Sequence, residues 1–459
     1  MRKEKMIGLA ALAAVFLFAG CSGSVEIGPV PTITPRPTVT PAPTPTPVVV
    51  VQEDEKVEEV SVYETKKYQE YYKNENKLPQ LKEAYKDTFS IGLDTLLIDV
   101  MDEKRQAIVK DQFNLISLKN DMLPSNIMDY ETAKVAEDKT RIPLIFSAVD
   151  VIMKYAQQNN IPVMGGKLMT ESTPEWAFSK DLDRNQVTET TDADGKTTVT
   201  IEYADAEVML ARMENYIKDV ITYCNTNYPG VVVSWVVLDE PINAGETSDT
   251  KYRSNYWLKT VGDDYLVKAC EFARKYATPE QTLLISQDAL DEEKTLTPTL
   301  ALVNILKEQK LLDGVGIKAY YSPNSPNVFN VEDMLKKITE AGMEIHFTEY
   351  YVDSCEGNRG DTEKTPEELL ARSTKRYKAL ITNLYNYDTK KTYDIKSITF
   401  ESLSHDNAKV NQPKEYIDHI TLEVKYGVNV ESYPSFFDAD LNVTSNFFAA
   451  LLDKDIKAY

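Results

Sequence analysis

Histidine is nearly missing from this sequence, with three in 459 residues. A zinc site built on several imidazoles is therefore not expected. Cysteine is also scarce, with four in all. One of these, Cys21, follows an apolar N-terminal run, which leaves Cys224, Cys270 and Cys355. That remainder is odd in number and shows no metal-like spacing, so no disulfide framework or thiolate site is read from it. Cys224 and Cys270 fall in helix-like stretches and read as small core residues. Positive charge is in deficit too: 51 Lys and Arg stand against 72 Asp and Glu, a net charge of −21. Such a surface repels phosphate backbones, which argues against nucleic acid as a partner. No Gly-rich phosphate loop follows the first apolar strand candidate, which weakens the case for a doubly wound nucleotide fold.

The apolar run is a targeting segment and is left out of the fold. Arg2, Lys3 and Lys5 precede MIGLAALAAVFLFAG, residues 6–20, which is too short for a comfortable membrane span. Phe18-Ala19-Gly20-Cys21 resembles a bacterial lipobox, in which the cysteine is acylated and becomes the new N-terminus. An ordinary signal peptide with a chance cysteine is the plainer alternative. Residues 24–56 include PVPTITPRPTVTPAPTPTP, which stays extended and acts as a semi-rigid spacer. The chain thus divides into a lipoprotein signal peptide over 1–20, an anchor cysteine and Pro/Thr-rich linker over 21–57, and a folded domain over 58–459. The expected place is extracellular, at the cell surface, with a lipid on Cys21 as the membrane contact.

From about residue 58, short apolar runs alternate with longer amphipathic stretches, the mark of repeated β-α units and a parallel sheet. Eight strand candidates appear: Phe89–Thr95, Phe113–Asp121, Ile161–Met169, Val231–Pro241, Thr282–Asp288, Gly314–Tyr321, Glu344–Val352 and Ile395–Leu403. Eight such units predict an α/β fold of the (β/α)8 TIM-barrel type. An open doubly wound sheet is the structural alternative. Residues 185–203 read as an inserted hairpin after the third strand, turning at Asp194-Gly195.

In such a barrel, chemistry sits where strands end. The fourth strand, VVVSWVVLDEP, ends at Glu240, and the seventh, EIHFTEYYVD, carries Glu349 near its end. A carboxylate at the mouth of an apolar strand carries a desolvation cost. The bland reading of either one alone is a helix cap or a lysine pair. Facing one another, two glutamates push their pKa values apart, leaving one protonated as a general acid and one ionised as a nucleophile. Retaining glycoside hydrolysis needs that pair, with carboxyl groups about 5 Å apart.

At these residues the chain resembles glycoside hydrolase family 10, the family of endo-β-1,4-xylanases, over roughly 81–452. The family's Trp-Asp-Val-Val-Asn-Glu is matched by Trp235-Val236-Val237-Leu238-Asp239-Glu240, and its Thr-Glu motif by Thr348-Glu349. LARMENYIKDVI, LLDGVGIKAYY and YPSFFDADLNVTSNFFAAL are similar segments in the same order. The resemblance implies Glu240 as acid/base and Glu349 as nucleophile of a two-step retaining mechanism. It implies sugar contacts from Asn120, Asp239, Trp176, Lys318 and Tyr320, and neither metal nor cofactor.

The departures are as informative. The family's Glu-Asn-x-Met-Lys is here Lys119-Asn120-Asp121-Met122-Leu123, and its Gly-His-Thr-Leu-Val-Trp-His region is Gly165-Gly166-Lys167-Leu168-Met169-Thr170-Glu171. Gln-Gly-His becomes Lys318-Ala319-Tyr320, the asparagine before the acid/base becomes Asp239, and Phe-Trp-Gly becomes Phe400-Glu401-Ser402. Loss of such hydrogen-bond donors commonly costs a few kcal/mol of transition-state stabilisation. Lys318 brings a cation toward Glu349, and Asp239 adds a negative charge beside Glu240. Two functions are carried forward: a hydrolase acting on plant cell-wall polysaccharide, xylan by default, and a glycan-binding barrel with weakened catalysis. A monomer is expected. Of the 27 tyrosines, Tyr320, Tyr321, Tyr350 and Tyr351 read either as sugar platforms or as packing. Trp235 reads as core. His346, three positions before Glu349, reads as facing away from it, and His405 is a weak site candidate.

Overall fold

The computed structural model describes residues 78–451 apart from 119, 192–196, 244–250, 357–362, 391, 413, 418–423 and 428–430. The expected signal peptide, Cys21 and the expected linker lie outside the described residues, as do Lys119 and the expected turn at Asp194-Gly195. Eight parallel strands close a barrel: β1 (Ser90–Thr95), β2 (Leu115–Leu118), β3 (Val163–Met169), β6 (Val232–Asp239), β7 (Thr282–Asp288), β8 (Gly314–Tyr321), β9 (Glu344–Val352) and β10 (Ile395–Phe400), with β10 returning to pair with β1. Between β3 and β6 lies the antiparallel hairpin of β4 (Val187–Thr191) and β5 (Thr197–Ile201), in register from Val187–Ile201 to Thr191–Thr197. A second hairpin, β11 (Lys414–Ile417) with β12 (Val424–Gly427), follows β10 and was not foreseen.

A helix follows every barrel strand before the next one begins, as parallel pairing requires. Helix Ala206–Asn227 shows why these segments wind as they do. The Asp205 carboxylate accepts from the Val208 amide at its N-terminus, and Met209, Met213, Tyr216, Ile217, Val220, Ile221 and Cys224 are buried along one stripe. Inside the barrel, Leu115, Met164, Val236 and Leu284 form a small apolar plug of their own. Outside it, the strand side chains and helices merge into the main core. Trp235 is fully buried there, and a side chain at Gly165 would collide with its ring. Cys224 and Cys270 are buried, and burial pushes both thiols up to about 12.

Candidate active site

Lys318 of β8 stands at the C-terminal mouth with its side chain 3% exposed. Its ammonium lies 2.7 Å from Asp239 Oδ1, 2.6 Å from Glu240 Oε1 and 3.6 Å from Glu349 Oε1. The Lys167 ammonium of β3 donates to Glu349 Oε1 and lies 3.9 Å from Asp239 Oδ2. The Tyr320 hydroxyl donates to Glu349 Oε2. Arg253 reaches Glu240 Oε2 at 2.8 Å, Asp288 at 3.7 Å and Glu171 at 3.7 Å. Each oxygen of the two glutamates thus meets a cation or a phenol.

Local breaks in strand regularity build this arrangement. Along β9, Ile317 faces Phe347 but Lys318 faces Glu349, so Thr348 is an extra residue in a β-bulge. Strict alternation would turn Thr348 inward and Glu349 outward. The bulge lets both face the barrel interior, and the Thr348 hydroxyl lies 2.7 Å from that of Ser286 across Gly316. A Cβ on Gly316 would sit 2.7 Å from Thr348 Cγ2, so only glycine leaves room. The same bulge overturns the expectation for His346. It stands on the face of Thr348, with Nδ1 2.9 Å from Ser397 Oγ, and is not packed under helices away from Glu349. Along β3, Met164 faces Ser234 but Lys167 faces Val236, and this second bulge at Gly165-Gly166 turns Lys167 inward. Glu240 directly follows β6 with φ of 50°, a conformation that costs a non-glycine residue about 1–3 kcal/mol. Its amide donates to the Ser286 carbonyl at 2.7 Å. Beyond it, the Arg253 amide donates to the Pro241 carbonyl at 2.8 Å, folding the loop back so that the guanidinium covers Glu240.

The separation of the pair follows from the shared ammonium. Glu240 Oε1 and Glu349 Oε1 cannot be further apart than the 2.6 and 3.6 Å contacts laid end to end. This close approach of one oxygen pair is compatible with the short carboxyl spacing of retaining glycosidases.

The electrostatics differ from the sequence-based expectation. Burial pushes the Glu240 carboxyl up, but Lys318 in contact with it, and then Arg253, outweigh burial and hold it below the ordinary range. Burial likewise opposes ionisation of Glu349, and Lys167 and Lys318 overcome it by more, so it lies lower still. The Glu349 charge does push Glu240 up, but Lys318 and Arg253 outweigh it, so the pair is not split into one raised and one lowered carboxyl. The effect of Lys318 on Glu349 is in the direction its charge predicts. Burial and the Glu349 carboxylate keep the Tyr320 phenol protonated as a donor. Asp288 is pushed up by burial and by Glu240.

The pair opens into a cavity of about 400 Å³, lined also by Asn120, Thr170, Ser172, Asn407, Lys409 and Gln412. A hollow of about 210 Å³ shares Thr170 and Glu171 with it and runs on past Ser254, Asn255 and Tyr256. A larger hollow of about 710 Å³ lies elsewhere, around Phe146 and Tyr223, with no glutamate pair. Asp239, Lys318 and Asn120 therefore share one pocket with Glu240 and Glu349. Tyr320 lies against Glu349, and its hydroxyl, rather than its ring face, serves the site.

Trp176 does not line the pocket, contrary to the sequence reading. It is 4% exposed and packs edge-on against Tyr130, with ring centroids 5.2 Å apart. Thr173-Pro174-Glu175-Trp176 resembles the family's Thr-Pro-Asp-Trp, but a short 3-10 turn, Glu175–Phe178, points the indole into the core. Tyr321 and Tyr350 are buried packing, while Tyr351 lies 5.1 Å from Tyr320. His405 is buried, accepts the Ser435 amide at 3.1 Å, and is pushed down to about 4 by burial, so it is structural. The sequence reading missed Lys167 and Arg253. The bulge hides the first, and nothing in the sequence around the second signals its return to Glu240. Among the described residues no cluster of His, Cys, Asp or Glu is arranged to hold a metal.

The glycosyl hydrolase family 10 model matches residues 80–451. Endo-1,4-β-xylanase B of Butyrivibrio fibrisolvens is 27% identical over 339 residues, which cover 72% of this chain and 48% of that protein. Endo-1,4-β-xylanase A of Halalkalibacterium halodurans is 28% identical over 370 residues, or 79% of this chain and 84% of that one. The chain spans about half the length of the Butyrivibrio relative. The crystal structure of an intracellular xylanase from Thermoanaerobacterium saccharolyticum superposes with a TM-score of 0.64 at 23% identity, covering 82% of this chain and 99% of that one. Xylanase B from Clostridium stercorarium gives 0.65 at 21% identity, with the same coverage. With the matched region spanning the whole barrel, the chain belongs to glycosyl hydrolase family 10.

Proposed function

We propose that the protein is a retaining glycoside hydrolase that cleaves β-1,4 linkages within xylan, with Glu240 as acid/base and Glu349 as nucleophile. The single observation that carries the mechanism is the Lys318 ammonium in contact with Glu240 Oε1 and within 3.6 Å of Glu349 Oε1. In the first step a Glu349 oxygen attacks the anomeric carbon. The glycosidic C–O bond breaks, and Glu240 gives its proton to the departing oxygen. Water then attacks the glycosyl ester, Glu240 takes a proton from it, and Glu349 is released. The cavity and the hollow that continues it suit a polymer bound along a cleft. Xylan as the substrate is supported by the relatives named above. Asn120, Asp239 and Thr170 line the place where sugar hydroxyls would bind.

The test is release of reducing sugar from xylan, glucan and mannan, with Glu349→Gln as control. No release from any of them, with measurable binding, sinks the hydrolase and leaves the second reading, a cell-surface glycan binder. One observation favours that second reading: every oxygen of the glutamate pair is already engaged by a protein donor.

The chain is further proposed to sit outside the cell as a lipoprotein acylated at Cys21, with the Pro/Thr stretch as its tether. The basic start, short apolar run and small residues before the cysteine support this.

A further inference from the structure

We propose that Lys318 is a positioning residue that ties the acid/base and the nucleophile to one ammonium and thereby confines cleavage to acidic solution. The proposal rests on the roles given to Glu240 and Glu349 and adds a residue that controls when they act.

Glu240 is faced by charge from every neighbouring element. Its own strand supplies Asp239, and the loop after it supplies Arg253 at 2.8 Å. From β8 comes Lys318 at 2.6 Å, with the Tyr320 phenol beyond. From β7 comes Asp288, on β9 lies Glu349, and from β3 comes Lys167, bound on the far side of Glu349. The loop after β3 adds Glu171, which meets Arg253 at 3.7 Å. The two groups in direct contact with Glu240 oxygens are both cations. A proton on either oxygen leaves a cation facing a neutral acid.

The two cations are not equally free to yield. Arg253 is 29% exposed and is shared with Asp288 and Glu171. Lys318 is 3% exposed and is gripped from the other side by Asp239 at 2.7 Å. With its side chain almost wholly buried, it is the fixed charge of the pair. The first step needs Glu240 protonated while Glu349 is ionised. Both lie below the ordinary carboxyl range, with Glu349 the lower. Cleavage is therefore open in acid and lost as pH rises through the titration of Glu240. Replacing the ammonium with an amide keeps a donor at that place and removes the charge, so Glu240 should hold its proton to higher pH.

The test is a carbon-13 carboxyl NMR titration of the whole chain as wild type, Lys318→Gln and Lys318→Arg. Subtraction of a Glu240→Gln spectrum identifies the Glu240 signal. The expected result is a Glu240 midpoint below that of ordinary glutamates in the wild type and Lys318→Arg, rising by about 1–3 on the pH scale in Lys318→Gln. The alkaline limb of kcat/KM on xylan should rise with it. A wild-type midpoint in the ordinary glutamate range overturns the proposal without any variant. So does an equal midpoint in wild type and Lys318→Gln. Failure of every variant to cleave any glycan defeats the hydrolase reading instead, since the titration is read without turnover.

Discussion

Glu240 and Glu349 should fail differently when each loses its acidity. Glu240→Gln is expected to lower xylan cleavage by about 10²–10⁴-fold, the usual worth of a general acid. It should spare the first step on an aryl xyloside whose leaving group needs no proton. Glu349→Gln should stop both substrates. Steady-state rates on xylan beside burst amplitudes on the aryl xyloside separate the two, and equal losses on both substrates would reverse the assignment. Lys167 acts on the same pair. Lys167→Met removes a donor from Glu349, which is 4% exposed and still keeps Lys318 and Tyr320. Stability should fall by about 1–3 kcal/mol, read from the denaturant midpoint. The glutamates were legible because each stands at the end of an apolar strand inside a recognisable motif. Lys167 was not, since its place in Gly165-Gly166-Lys167 shows no more than the loss of the family's histidines.

Elements were easier to read than their irregularities. Three of the eight strands, Thr282–Asp288, Gly314–Tyr321 and Glu344–Val352, have the bounds the sequence indicates, and the others are trimmed by one to a few residues at their ends. Buried parallel strands are continuous aliphatic runs, and such runs are visible in any sequence. A bulge leaves no such trace, because it is a matter of register with a neighbour that is distant in sequence. This is why His346 was assigned the wrong face and Lys167 was overlooked. The β9 bulge depends on Gly316, so Gly316→Ala should press on Thr348 and destabilise the fold by about 1–3 kcal/mol. Guanidinium unfolding measures that, and xylanase activity should fall with it as Glu349 is displaced. No change in either would mean the bulge tolerates a methyl group. The β11–β12 hairpin escaped notice because KEYI and VKYG are four residues each, with little apolar pattern.

At the scale of the molecule, the proposed division into a targeting segment, a spacer and a barrel makes its own demand on experiment for each part. Cys21→Ser should release the protein from the membrane fraction into the medium while xylan cleavage by the released protein is unchanged. Retention on the membrane would show that another segment holds it. The barrel itself is joined from its two ends: Ser90 pairs with Ser397, and Leu93 with Phe400. Phe436 packs against Phe400 and Tyr377, and the Tyr85 hydroxyl donates to the Ala450 carbonyl at 2.5 Å. The ring therefore stays open while the polypeptide is being made, until the ribosome has passed β10, and its seam is covered only when helix Ser445–Ala450 emerges. A nascent chain holds its reactive side chains well before they can meet a sugar.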